Sequence, residues 1–168
     1  MFVALLTVCA WITVPSVVPF TLQSLAVSLA ILFLGLSKSL ITVFSYLLIG
    51  IIGLPVFSGF RGGFAVVCGP TGGFLVGFIF MCLVSGLLIK LFPAGKMYRI
   101  IALGIGHICL YASGLIWFLW FTGNGSFDFD KLLVAFSTCV LPFILPDAVK
   151  IFLAEYLFSK LRFLTDGV

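Results

Sequence analysis

Charge is what this sequence has least of. Five acidic and nine basic residues among 168 make it 8% charged, against about 25% in soluble domains, which excludes an ordinary water-soluble fold. The net charge of +4 is too thinly spread to point to nucleic acid. There is one histidine, His107 in GIGHICLY, with no second ligand at helical spacing, so it reads as a buried histidine rather than a metal ligand. The five cysteines, at 9, 68, 82, 109 and 139, contain no CxxC and no short metal spacing. Four lie within apolar runs, and they read as small apolar fillers. The lysine and spacing of a P-loop are missing, and no nucleophile stands beside a base. The first residues lack a basic segment and a small-x-small cleavage site, so they read as a first span rather than a removable signal peptide.

What the chain has instead is apolar length. It is 63% hydrophobic with a mean hydropathy of +1.39, the composition of an integral membrane protein. At about 20 residues per crossing helix, 168 residues hold six spans with short loops, which predicts one all-α membrane domain over 1–168. Residues 1–14 form a short first span, and VPSVVPF breaks it at Pro15 and Pro19. A second span over 21–36 ends at the polar turn Ser37-Lys38-Ser39, and a third covers 40–53. The fourth runs over 72–92, with Gly73 and Gly77 four apart to allow close helix packing. The fifth, 99–121, carries Trp117 and Trp120, aromatics of the kind that settle at a membrane interface. TGNGSFDFDK follows as a polar loop containing an Asn124-Gly125-Ser126 sequon that carries no weight alone. The sixth crossing joins a short helix over 132–140, broken at Pro142, to a helix over 146–158. The alternative is five crossings with 132–145 re-entrant.

The placement of charge orients these spans. Lys38, Lys90, Lys96, Arg99, Lys160 and Arg162 fall on one side, whereas Arg61 and Lys131, with Asp128 and Asp130, fall on the other. The positive-inside rule then puts both termini in the cytoplasm and the loop between spans three and four outside.

That loop is the least regular stretch of the chain. GIIGLPVFSGFRGGFAVVCGPTGGFLVG, residues 50–77, holds nine of the eighteen glycines, two prolines and a single charge, Arg61. Glycines at this density describe shaped, irregular backbone. Lipid offers no hydrogen bonds, so such backbone must line a cavity, be buried in protein or meet water. A polar cavity at one membrane face is the expectation.

Asp147 and Lys150 are the sharpest polar signal. They flank no other ionisable residue at the start of the last span, and a spacing of three puts them on one helix face. A charge at mid-bilayer costs about 2.5–3.5 kcal/mol even on lenient scales, so the pair needs compensation or a use. It is either a self-neutralising bridge or, with Pro146 opening the helix beside it, a water-facing site. Arg61 in FRGGF meets either lipid phosphate and water or an anion such as a carboxylate, which suits its donor fork. Gln23, just after the VPF break, can both donate and accept. GPTGG at 69–73 precedes a helix whose free N–H groups could face an anion, a weak signal by itself.

VPFTLQSLAV, GLPVFSGFRGG, GPTGGFLVGF and LPFILPDAVK together closely resemble the BioY family, the biotin-binding S components of energy-coupling-factor (ECF) transporters. The resemblance covers nearly the whole chain in the right order. It implies a six-helix protein of the bacterial cytoplasmic membrane, not an enzyme and without cofactors, that captures biotin from outside. Its implied partners are membrane lipid, a transmembrane coupling protein and a pair of ATPases. It implies that Asp147 accepts from a ureido N–H and Lys150 donates to the ureido oxygen, with Gln23 beside them. Arg61, Gly62, Gly63, Thr71, Gly72 and Gly73 are then the carboxylate contact or lid. Phe57, Phe60, Phe64 and Phe74 are candidates for an apolar wall. Two departures stand out. The family often has Pro-Gly before the aspartate, where this chain has Leu145-Pro146. Other S components dock through an Ala-x-x-x-Ala face on the first helix, which Val3 and Thr7 break here, leaving Ala26 and Ala30 as a substitute pair. The competing readings are an S component for a different vitamin, a membrane enzyme acting on a lipid-linked substrate with Asp147 and Lys150 as acid and base, and a purely structural membrane subunit.

Overall fold

In lipid the backbone must satisfy its own hydrogen bonds, and the apolar runs of this chain do so as helices. The structure, a computed structural model, describes residues 1–15, 18–92, 95–122 and 129–165. The 124–126 sequon and Asp128 lie outside the described residues, as do the side chains of Asp130 and Lys131. The elements in order are α1 (Phe2–Trp11), β1 (Thr13–Val14), β2 (Phe20–Thr21), α2 (Gln23–Ile51), α3 (Phe64–Val67), α4 (Gly72–Leu91), α5 (Lys96–Thr122), α6 (Phe129–Cys139) and α7 (Leu141–Thr165). Among the described residues, four stretches are long and apolar enough to cross a membrane: Gln23–Ile51, Gly72–Leu91, Lys96–Thr122 and Leu132–Arg162. Only 28–39% of the residues in their apolar windows are buried within the protein, so most of that surface needs an apolar solvent.

The first of these stretches is folded back on itself. Gly35 takes φ 73° and ψ −178° inside α2, a backbone region open only to glycine. The two arms, 23–34 and 36–51, return side by side. Gln23 Nε2 lies 2.5 Å from the Tyr46 hydroxyl, although 23 residues of straight helix would separate them by about 35 Å. Val27, Ile31, Ser39 and Val43, at matching heights on the two arms, are all buried. The chain therefore reverses at Gly35 and not at the expected turn Ser37-Lys38-Ser39, which is helical. The polar triplet does not break the helix because Ser39 donates back to the Leu36 carbonyl at 3.0 Å, a bond a serine can make within a helix.

α4 and α5 form the second tight pair. A Cβ on Gly73 would overlap Trp117, and one on Gly77 would overlap Ser113, so the expected close packing through these two glycines is present. α6 and α7 meet at a turn at Val140. Here the structure corrects the expected helix start: α7 begins at Leu141, and Pro146 lies inside it. Pro142 sits in the first turn, where a missing N–H costs nothing, whereas Pro146 has no N–H to offer the carbonyl four residues earlier.

The ends of the helices carrying Lys38, Lys90, Lys96, Arg99, Lys160 and Arg162 gather at one end of the molecule. Leu36 packs on Gly86, the Tyr98 hydroxyl reaches the Leu88 carbonyl at 3.5 Å, and Phe33 meets Phe158 edge-on. Arg99 pairs there with Glu155 through both carboxylate oxygens, at 3.0 and 2.5 Å. Glu155 is fully buried and also accepts from Ser159 at 2.9 Å. Ala26 and Ala30 are both fully buried, which removes them as a docking face.

Candidate functional site: a capped cavity around a buried ion pair

At the opposite end, residues 52–71 form a cap over the mouths of α2, α4, α5 and α7. The cap closes through backbone bonds: Gly63 N–H to the Gly50 carbonyl at 2.7 Å and Phe57 N–H to the Arg61 carbonyl at 2.9 Å. Two tryptophans pin it, Trp11 Nε1 donating to the Pro55 carbonyl at 2.8 Å and Trp117 Nε1 to the Gly69 carbonyl at 2.9 Å. Of residues 52–71 only Val56 and Phe57 are buried, so of the three expected surroundings, a cavity, protein or water, the irregular backbone meets the cavity on its inner side and is exposed on its outer side.

The cap's neighbours are fixed by short-range sequence features. The proline-flanked break after α1 pairs Thr13 with Thr21 and Val14 with Phe20 as antiparallel strands, and Leu22 N–H bonds the Cys9 carbonyl at 3.1 Å. These contacts aim the carbonyl of Thr21 and the first turn of α2 at α7. Asp147 and Lys150 face them from the second and third turns of α7, three residues apart and both 5% exposed.

The resulting polar cluster is fully bonded. Lys150 Nζ donates to the Thr21 carbonyl at 2.6 Å, to Asp147 Oδ1 at 2.8 Å and to Ser24 Oγ at 3.2 Å. It also lies 4.2 Å from the centre of the Phe20 ring. Asp147 Oδ1 accepts a second bond from Ser24 Oγ at 2.9 Å, and Oδ2 accepts from the Tyr111 hydroxyl at 2.5 Å. Alongside, Thr21 Oγ1 donates to Gln23 Oε1 at 3.0 Å, Gln23 Nε2 donates to the Tyr46 hydroxyl at 2.5 Å, and Tyr46 donates to the Val56 carbonyl at 2.9 Å. The last bond ties the polar layer to the cap. Two charges this deep need such a network, because ions buried without full compensation are strongly destabilising.

A cavity opens between this cluster and the cap, walled by Phe57, Phe74, Phe78 and Phe143. The space open to the centres of water-sized molecules is about 70 Å³, room for several waters. Its chemistry is a carboxylate and an ammonium at one end of an aromatic chamber, suited to a small ligand that offers hydrogen-bond donor and acceptor together.

The expected site residues fall into three groups. Asp147, Lys150, Gln23, Thr71, Phe57 and Phe74 all line the cavity. Gly62, Gly63, Gly72 and Gly73 shape the cap and its junction with α4 without lining it, Gly62 lying so close to the Leu54 carbonyl that a Cβ would overlap it. Arg61, Phe60 and Phe64 are on the outer surface. Arg61 Nε donates to the Ser58 carbonyl at 3.1 Å, and Phe60 stacks on Trp11 at 4.8 Å. Ser24, Thr21, Tyr46 and Tyr111 belong to the site but were not singled out by sequence. Lone hydroxyls in apolar surroundings carry no pattern: Ser24 and Tyr111 meet Asp147, and the Thr21 carbonyl meets Lys150, far along the chain.

Comparison with known proteins agrees with this geometry. The family model for the BioY family matches residues 1–166. A probable biotin transporter BioY of Pyrococcus horikoshii is 38% identical over 96% of this chain and 92% of its own length. The biotin transporter BioY of Thermotoga maritima is 37% identical over 96% and 91%. The crystal structure of the S-component for biotin from an ECF-type ABC transporter superposes with a TM-score of 0.82 at 26% identity, covering 96% of this chain and 86% of that one. The chain belongs to the BioY family.

Proposed function

We propose that this protein captures biotin and takes it up across the cytoplasmic membrane as the substrate-binding subunit of an ECF-type importer. The observation that carries this reading is the buried Asp147–Lys150 pair at the head of an aromatic cavity. A ureido ring offers N–H donors and one strong carbonyl acceptor, which the carboxylate and the ammonium answer in turn, while the thioether ring and chain suit Phe57, Phe74 and Phe143. The names of the relatives, biotin transporters, support the same ligand.

On this reading residues 1–168 are one membrane domain that crosses six times: α1, the two arms of α2, α4, α5, and α6 continued by α7. Both termini and the basic end face the cytoplasm, and the cap faces outside. Arg61 serves the cap's rim, where an entering carboxylate first meets a cation. The cap lies over the cavity, so it moves aside to admit the ligand. Energy for accumulation comes from a transmembrane coupling protein with a pair of ATPases. The test is binding of labelled biotin to the detergent-purified chain without partners. Saturable binding that unlabelled biotin displaces, and that unrelated vitamins do not, is expected; no saturable binding contradicts the proposal.

A further inference from the structure

Every proton of Lys150 is committed within the protein, to Thr21, Asp147 and Ser24. A ligand carbonyl can reach the ammonium only by displacing one of them. The longest of the three contacts, 3.2 Å, is to Ser24 Oγ. That hydroxyl does two things at once: it accepts from Lys150, and it donates to Asp147 Oδ1 at 2.9 Å. Donating to the carboxylate while accepting from the ammonium is also the pair of bonds that a ureido N–H and its carbonyl would make. Ser24 is 6% exposed and lines the cavity, so it stands between the ion pair and the space a ligand would fill.

We propose that Ser24 is a specificity-determining residue: its hydroxyl acts as an internal surrogate for the ligand's donor–acceptor pair, bridging the ion pair until a cyclic urea replaces it. The inference rests on the biotin reading above and adds a competitor within the protein to it. Rotation about a single side-chain bond removes the hydroxyl, whereas Thr21 and Asp147 are held by backbone and by Tyr111. A ligand with only a donor or only an acceptor cannot replace both bonds, because it leaves one buried charge short of a partner. The surrogate thereby favours ligands presenting donor and acceptor side by side.

The sign of one substitution decides the matter. A hydroxyl that merely supported Asp147 and Lys150 in the bound state would weaken binding when lost. A surrogate, once lost, no longer competes, so Ser24→Ala should bind labelled biotin roughly two- to tenfold more tightly than the parent, the range of one net hydrogen bond. The melting temperature of the empty protein should fall, and that of the biotin-saturated protein should match the parent. Ser24→Thr, which keeps the hydroxyl, should restore parental affinity. Ser24→Cys, with a weak donor of similar size, should also tighten binding and serves if the alanine protein does not insert. A parent that binds biotin while both Ser24→Ala and Ser24→Cys bind equally or more weakly overturns the surrogate alone. A parent that does not bind biotin overturns the functional proposal and this inference together.

Discussion

Asp147 accepts three hydrogen bonds and Lys150 donates three, so loss of either charge strands its partner and should be felt by the ligand as well as by the fold. We predict that Asp147→Asn and Lys150→Ala each weaken biotin binding by about 1.5–3 kcal/mol, the worth of a hydrogen bond to a charged group, or about ten- to hundredfold in Kd by titration. Tyr111→Phe removes a 2.5 Å donor from Asp147 and should weaken binding in the same direction. Normal affinity in both charge variants would leave the pair a self-neutralising bridge. The Arg99–Glu155 pair does not line the cavity and should bear on the fold alone. Arg99→Met strands the fully buried Glu155 and should cost about 3–5 kcal/mol of stability, while the Arg99→Met, Glu155→Met double variant regains much of it. Thermal denaturation in detergent reads this, with biotin affinity of the folded fraction unchanged. Asp147 and Lys150 were legible in sequence because a helix puts residues three apart on one face. Glu155 with Arg99, and Ser24 with Asp147, were not, because partners 56 and 123 residues apart share no local spacing.

The elements that build the site are two departures from regular helix. One is the cap, whose glycines announced irregular backbone and whose folding over the cavity follows from close approach: the Gly62 Cα faces the Leu54 carbonyl with no room for a side chain. Gly62→Val should therefore reduce biotin affinity roughly tenfold or more, since about 1.4 kcal/mol of displaced cap is one decade. Membrane insertion, read by fractionation, should be unchanged. Unaltered affinity and rate constants would mean that the cap does not shape the site. The other departure is the hairpin at Gly35. The sequence indicated two spans there but pointed to the wrong residues for the reversal, because serine and lysine mark a turn by polarity. What turns the chain is backbone: a φ of 73° that only glycine takes without strain. The short ladder Thr13–Val14 with Phe20–Thr21 was hidden in the same way, since prolines at 15 and 19 announce a break without showing how its sides pair.

For the whole molecule, the basic end and the capped end should lie on opposite faces of the membrane. Cysteine placed at position 96 in intact cells should resist an impermeant thiol reagent, and cysteine at position 61 should react. Labelling at 96 from outside would reverse the topology. Composition made the membrane class plain, because 8% charge leaves no water-soluble alternative. Gly73 and Gly77 marked α4 for close packing, but that α5 is its partner was not readable, since contacts such as Gly73 on Trp117 depend on shape rather than on hydropathy. The central claim is that the ureido head of biotin occupies the Asp147–Lys150 end of the capped cavity. Its most direct test is a crystal structure of the protein with biotin bound. The ureido oxygen should lie within about 2.7–3.2 Å of Lys150 Nζ and a ureido nitrogen equally close to an Asp147 oxygen, with the Ser24 hydroxyl turned away. Biotin bound with its head elsewhere, and the ion pair still closed on Ser24, would contradict it.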